Sequence, residues 1–337
     1  MNVSSGLDLL TPPARKDFIS FPDDFGTRFL VVVDTEEEFD WAAPFSSDSR
    51  SVTTAHALMR AQGFFAGAGV CPLYVVDYPV IENPATAEIL AGWSAEGSAD
   101  VGAHCHPWVN PPHVEAVNDQ NSFAGNLPEE LERAKLTLLR DRLSEVIGKA
   151  PLAFRAGRYG VGRNTASILS DLGFRVDSSV RSRFDYSAHH GPNFTHMPLR
   201  PYRAGPSGQL IEMPLSTAWV GMLRSMGRHV QPLIRHGKVS AGIFARAGLL
   251  QRIPLTPEGV SPTEAVRAID QLLADDLKLL MFGFHSPTLK PGQTPYVRSE
   301  LDLGNFYRWW DVVLNHLARR GVLPARQADI INAADRG

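Results

Sequence analysis

The chain is poor in several things, and each scarcity excludes something. It has two cysteines, Cys71 and Cys105, in 337 residues. Two cannot make a disulfide framework, and they read as thiols of a reducing compartment. Charge of neither sign dominates: 33 Lys and Arg face 36 Asp and Glu, a formal −3. That balance gives no electrostatic case for nucleic acid or an anionic membrane as partner. No run approaches the ~18 apolar residues of a membrane span. Met1 to Thr11 has no basic or apolar signal region, so the expected location is cytoplasmic. Repeats and low-complexity tracts are also missing. Collagen, disordered tails and polytopic membrane proteins are excluded. The 44% apolar content is that of an ordinary globular chain, and the length suits one barrel-type α/β domain.

What is present alternates. Phe29 to Val33 is a continuous apolar, β-branched run, as expected of a strand covered on both faces. Further strands are expected at Pro72–Tyr78, Asp100–Ala103, Leu152–Phe154, Phe174–Asp177, Leu210–Pro214 and Lys278–Phe284. Helices are expected at Ser51–Ala66, Asn83–Glu96, Leu127–Gly148, Arg163–Leu172 and Leu301–Arg320. Ser261-Pro-Thr-Glu264 carries the signature of a helix start, with a Ser cap, Pro at the first position and Glu at the third. Residues 1–26 read as a lead-in, 27–325 as one domain and 326–337 as a tail. Arg181 to Gly208 reads as an elaborate loop, and residues 219–250 as a helical insert. Strand and helix in turn, about seven times, mean parallel strands with helical crossovers, whose active sites gather at the strands' C-terminal ends.

Chemistry does gather there. After the first strand comes Asp34-Thr-Glu36-Glu37-Glu38-Phe-Asp40-Trp41, five carboxylates in seven residues. Then follow His104-Cys-His106-Pro-Trp108, Arg155-Ala-Gly-Arg158-Tyr159, Asp177-Ser-Ser179, Glu212-Met-Pro and His285-Ser-Pro. Asp34 follows three valines, so its carboxylate sits at the sheet's edge, where an unpartnered charge is costly. His104 and His106, two apart on an extended segment, project to one side, a natural bite for Zn²⁺ or a similar ion. One carboxylate and two histidines leave open metal positions, where a bound water loses its proton near neutral pH. A second carboxylate can take that proton, a histidine opposite can protonate a leaving amine, and an arginine can hold the base. This is equipment for metal-assisted hydrolysis of an amide or ester.

In this order the motifs resemble those of the NodB-homology polysaccharide deacetylases (carbohydrate esterase family four and relatives), nearest the WalW-like atypical branch. They are Val-Asp34-Thr-Glu36-Glu37-Glu38-Phe-Asp40-Trp41, Gly-Ala-His104-Cys-His106-Pro-Trp108, Phe-Arg155-Ala-Gly-Arg158-Tyr159-Gly, Val-Asp177-Ser-Ser and Phe-His285-Ser-Pro-Thr. They span about residues 28 to 315.

The resemblance implies a distorted (β/α)₇ barrel and a divalent-metal-dependent deacetylase or amidohydrolase. It implies Asp34 as base, Arg155 as its tether, and His285 as general acid tuned by Asp177. It places Tyr159 where a backbone N–H helps hold the oxyanion. Two departures stand out. The usual second Asp is Thr35, and the atypical branch makes Glu36 the metal carboxylate, with Glu37 the alternative. The usual histidines are four residues apart, but position 108 is Trp, so His106 must be the second ligand. Trp108 would then either line the pocket against a sugar face or pack in the core. The metal expected is one divalent ion, Zn²⁺ before Co²⁺, Ni²⁺ or Mn²⁺. The expected reaction removes an N-acetyl or O-acetyl group from a sugar of a polysaccharide or its precursor. The alternatives are a cyclic amide (allantoinase-like) hydrolase and a non-catalytic glycan-binding barrel.

Overall fold

The computed structural model describes residues 8–227 and 248–337. Seven parallel strands form its centre: β1 (Arg28–Thr35), β2 (Leu73–Val76), β3 (Asp100–Cys105), β4 (Ala153–Ala156), β5 (Val176–Asp177), β7 (Leu210–Glu212) and β10 (Leu279–His285). They pair in the order β10-β1-β2-β3-β4-β5-β7, and β6 (Tyr202–Ala204) adds antiparallel to β7. The gap between β7 and β10 is spanned by Ser216, whose N–H reaches Met281 O (3.3 Å) and whose Oγ accepts from Met281 N–H (2.9 Å). Leu255 O likewise accepts from Gly283 N–H at 3.2 Å. The result is the curled (β/α)₇ arrangement expected from the alternation.

Helices α1 (Ala55–Gly67), α2 (Tyr78–Glu82), α3 (Pro84–Glu96), α4 (Glu129–Ile147), α5 (Thr165–Asp171), α6 (Pro262–Ala274) and α7 (Glu300–Arg319) connect the strands. The start of α6 has the reciprocal cap that its sequence predicts: Ser261 Oγ accepts from Glu264 N–H, and Ser261 N–H donates to Glu264 Oε2 at 2.8 Å.

Strand periodicity decides what faces inward. On β1, Phe29, Val31 and Val33 pack outward under the helices, while Leu30 and Val32 join a separate inner cluster. On β4, Phe154 faces out and Ala153 in; on β10, Leu280, Phe282 and Phe284 face out, and Leu279 and Met281 in. Counting by two from the inner residues puts Asp34, Arg155 and His285 on the inner face, at the ends of their strands.

Three expectations change. The presumed helical insert begins as strand: β8 (Thr217–Val220) pairs antiparallel with β9 (Gln251–Pro254), and residues 228–247 lie outside the described residues. The presumed loop at 181–208 contains β6. The presumed tail is a helix, α8 (Gln327–Arg336), whose Ile330, Ile331, Ala333 and Ala334 pack on the inner cluster from the strands' N-terminal end. Ile19 and Phe25 of the lead-in join them. These apolar side chains face strands rather than water, which a short amphipathic stretch with no partner in view does not announce. Ile330→Ala should therefore cost about 2–5 kcal/mol, read from the urea midpoint. A loss under about 1 kcal/mol would show that α8 does not plug the barrel.

Candidate metal centre and active site

The end of β1 delivers Asp34 and, two residues on, Glu36 to the same side. The end of β3 delivers His104 and His106. Glu36 Oε2 lies 3.4 Å from both His104 Nε2 and His106 Nε2, and the two nitrogens are 3.1 Å apart. Glu36, His104 and His106 are all buried. Gly157 permits this approach, because a Cβ there would stand 2.2 Å from the His106 ring.

The donor set is suited to a cation. His104 Nδ1 lies 3.0 Å from Arg155 O, and His106 Nδ1 lies 2.7 Å from Glu37 Oε2. Each Nδ1 therefore carries the proton, leaving both Nε2 atoms as bare lone pairs. Burial lowers the pKa of both rings, that of His106 to about 4, so both are neutral. Two lone pairs and a carboxylate oxygen thus face one another with no proton between them. Glu36 Oε1 is buried without a hydrogen-bond partner. A divalent ion resolves both conditions.

Behind His106 lies a layer of support. Glu37 accepts from His106 Nδ1–H and from Trp108 Nε1–H (2.8 Å), and its own N–H donates to Asp77 Oδ2 (2.7 Å). Burial pushes Glu37 up to about 8, with the Asp77 hydrogen bond opposing and the Glu36 charge adding to the rise, and burial also raises Asp77, helped by Glu37. Geometry thus separates the two glutamates, with Glu36 before the histidine nitrogens and Glu37 behind one ring.

Trp108 requires correction as a sugar platform. It is 1% exposed and stacks on His106 at 4.2 Å. Holding Glu37 turns its indole away from the cavity. Trp41, two residues beyond the strand-one motif's Phe39, lines the cavity instead.

Asp34 lies beside this cluster. Arg155 Nη1 donates to its Oδ1 at 2.6 Å, while Arg155 Nε donates to Ser178 O (2.9 Å) and Nη2 to Ser178 Oγ (3.0 Å). Burial alone would raise the Asp34 pKa, but the Arg155 charge and hydrogen bond, with His285, outweigh it and hold it below the usual carboxylate range. Gly283 leaves room for the guanidinium, since a Cβ would lie 3.1 Å from Arg155 Nη1.

His285 pairs with Asp34 across the β1–β10 ladder, and its Nε2 stands 3.8 Å from Asp34 Oδ2. Its Nδ1–H donates to Glu258 Oε2 (2.8 Å), and its backbone N–H to Glu258 Oε1 (3.1 Å). Burial would lower its pKa. Glu258, Glu36 and Asp34 overcome that and push it up to about 10.

Glu258, not Asp177, is thus the carboxylate that lies against His285. Asp177 follows the inward Val176 on β5 and so faces outward. There it accepts from Ser179 Oγ (2.6 Å) beside its ladder partner Glu212. Glu258 escaped sequence reasoning because β9, which delivers it, lies just past the presumed insert, where no element was expected. Its one signal is a lone Glu shortly after Ile253-Pro-Leu255.

These groups share a cavity of about 310 Å³, at the small end of ligand sites. Phe39, Trp41, Phe45, Tyr159 and Tyr296 supply aromatic wall, and Arg158 and Arg181 supply positive charge. Arg158 and Tyr159 both have positive φ, 55° and 60°, the sharp turn by which the chain leaves β4 to face the cavity.

No family model matches the chain, and no curated protein does. Solved structures do. A Mycobacterium smegmatis protein assigned as a polysaccharide deacetylase superposes with TM-score 0.50 at 18% identity, over 94% of this chain and 98% of that one. A Pseudomonas aeruginosa protein of the same assignment gives 0.54 at 13%, over 94% and 93%. An allantoinase, PuuE, gives 0.54 at 13%, over 95% and 97%. The chain thus has the NodB-type polysaccharide-deacetylase fold. Among the described residues no helix is long and apolar enough to cross a membrane.

Proposed function

We propose that this chain is a divalent-metal-dependent hydrolase that removes an acetyl group from an N-acetylated (or O-acetylated) sugar of a polysaccharide or its precursor. One observation carries the reading. A neutral two-histidine, one-carboxylate cluster, a tethered carboxylate and a protonated histidine open onto one cavity with aromatic walls.

Glu36, His104 and His106 would hold the ion, with Zn²⁺ the first choice for two imidazoles and a carboxylate. When bound, it would polarise the acyl carbonyl and ease loss of a proton from water. Asp34 takes that proton as water attacks the carbonyl carbon. Arg155 keeps Asp34 ionised and aimed. The Tyr159 backbone lies at the wall where an oxyanion would develop. His285 then gives its Nε2 proton to the departing amine as the C–N bond breaks, leaving acetate and a free amino sugar. Glu258 holds the His285 ring and its charge. The two free cysteines fit a cytoplasmic setting and hence a biosynthetic precursor as substrate.

Glu258→Gln tests the acid. Protonated His285 is the active form, so activity falls as pH rises through its pKa. Removing the Glu258 charge lowers that pKa. The alkaline limb of kcat/KM should move to lower pH by about one to three units. An unmoved limb would remove His285 from the role.

Acetate release from acetylated amino sugars, measured beside ring opening of cyclic ureides, tests the reaction itself. The second reading, a cyclic amide hydrolase, draws on Arg158 and Arg181 in a small cavity. Ring opening without acetate release would establish it. Neither activity in metal-loaded protein that still binds glycan would leave a binding barrel.

A further inference from the structure

Three arginines serve the cavity, and their partners differ. Arg155 has the Asp34 carboxylate at 2.6 Å. Arg158 has Asp119 at 3.7 Å, donates to Ser122 Oγ, and lies over the Phe45 and Phe123 rings. Arg181 lines the same cavity, yet among the described residues no carboxylate lies within ion-pair distance of it. Its Nη1 donates to Tyr186 Oη at 2.9 Å, and its guanidinium lies over Tyr159 (5.0 Å) and Phe184 (4.1 Å). Its Nε is buried without a hydrogen-bond partner.

A partly buried cation with no counter-ion is costly. Aromatic faces offset only part of that cost. They also clamp the planar fork in one orientation, so little freedom is lost when an oxyanion arrives. The remainder of the site cannot use this charge, because Asp34 and Glu258 already have their own cations.

We infer that Arg181 is the anion-recognising group of the cavity, and that the substrate carries a carboxylate or phosphate in addition to its acyl group. The inference rests on the hydrolase reading for the acyl group, but the anion site stands on Arg181 alone. A uronate and a sugar phosphate offer the same oxyanion chemistry to the fork.

Isothermal titration of zinc-supplemented protein decides it without reference to turnover. The probes are N-acetylglucosamine, N-acetylglucosaminuronic acid and N-acetylglucosamine 6-phosphate. At least one charged sugar should bind roughly ten-fold or more tighter than the neutral one, and which one identifies carboxylate or phosphate. Raising salt should narrow the gap. In R181Q the ratio of charged to neutral affinity should collapse to near one. R181K, which keeps the charge and loses the fork, should fall between, and it serves with the salt series if R181Q does not fold. No preference in wild type, including no binding by any probe, overturns the inference, as does a preference that survives in R181Q. Charged-sugar preference without acetate release would sink the hydrolase reading and leave the Arg181 site. Acetate release without preference would do the reverse.

Discussion

His104→Ala should abolish stoichiometric divalent metal and reduce acetate release by roughly 10³-fold or more. The reason lies in the donor geometry. His104 and His106 present bare Nε2 atoms 3.1 Å apart, with Glu36 Oε2 at 3.4 Å from each. Removing one imidazole leaves two donors, too few to hold an ion tightly in a site that keeps open positions. His106→Ala should do the same, with the added consequence that Glu37 loses its His106 partner. Elemental mass spectrometry of the purified proteins reads the result directly. Metal lost only in His104→Ala would discard His106 as ligand and keep the mechanism. Metal retained at wild-type level in both variants would sink the site.

The largest loss of stability should come from Arg155→Leu, at about 3–5 kcal/mol in chemical denaturation. Arg155 is fully buried and makes three side-chain hydrogen bonds, to Asp34 Oδ1, Ser178 O and Ser178 Oγ. Leucine fills part of the volume but strands the Asp34 carboxylate inside the barrel, and an unpaired buried charge costs more than the pair contributed. The double variant Asp34→Asn, Arg155→Leu should accordingly recover part of the loss. A single-variant loss below about 1 kcal/mol, or a double variant as unstable as the two losses summed, would show that the pair does not carry this energy.

Much of this was legible because strands alternate. Three valines announce a covered strand, and the parity that follows sends Asp34 and Glu36 to one face. The same rule aligns His104 with His106. Arg155 and His285 could be placed at strand ends from the order of elements alone. Parity also explains the failure at Asp177: it follows an inward Val176, so it turns outward, and only the register of a two-residue strand reveals this. Glu258 was hidden for a different reason. Its strand pairs with Thr217–Val220 across the interval 221–250, and periodicity cannot read a pairing partner so far along the chain. Sequence left two uses open for Trp108, pocket wall or core, because an indole offers both a face for stacking and one N–H. The buried Glu37 claims the N–H, while His106 takes the face.

The closing of β1 between its neighbours sets the order in which the molecule can be made. Arg28 pairs with Leu279 on one side and Leu323 on the other, so β1 waits for strands that are made much later in the chain. Contacts of such long sequence separation slow folding, because loop entropy is lost before they form. Until β10 emerges, one edge of the valine-rich β1 is bare, and a bare apolar edge is an invitation to intermolecular pairing. Asp34 and His285 sit on these two strands. The proposed base and acid are therefore brought together late, and nascent chains that stop short of His285 carry the proposed metal donors without the proposed acid.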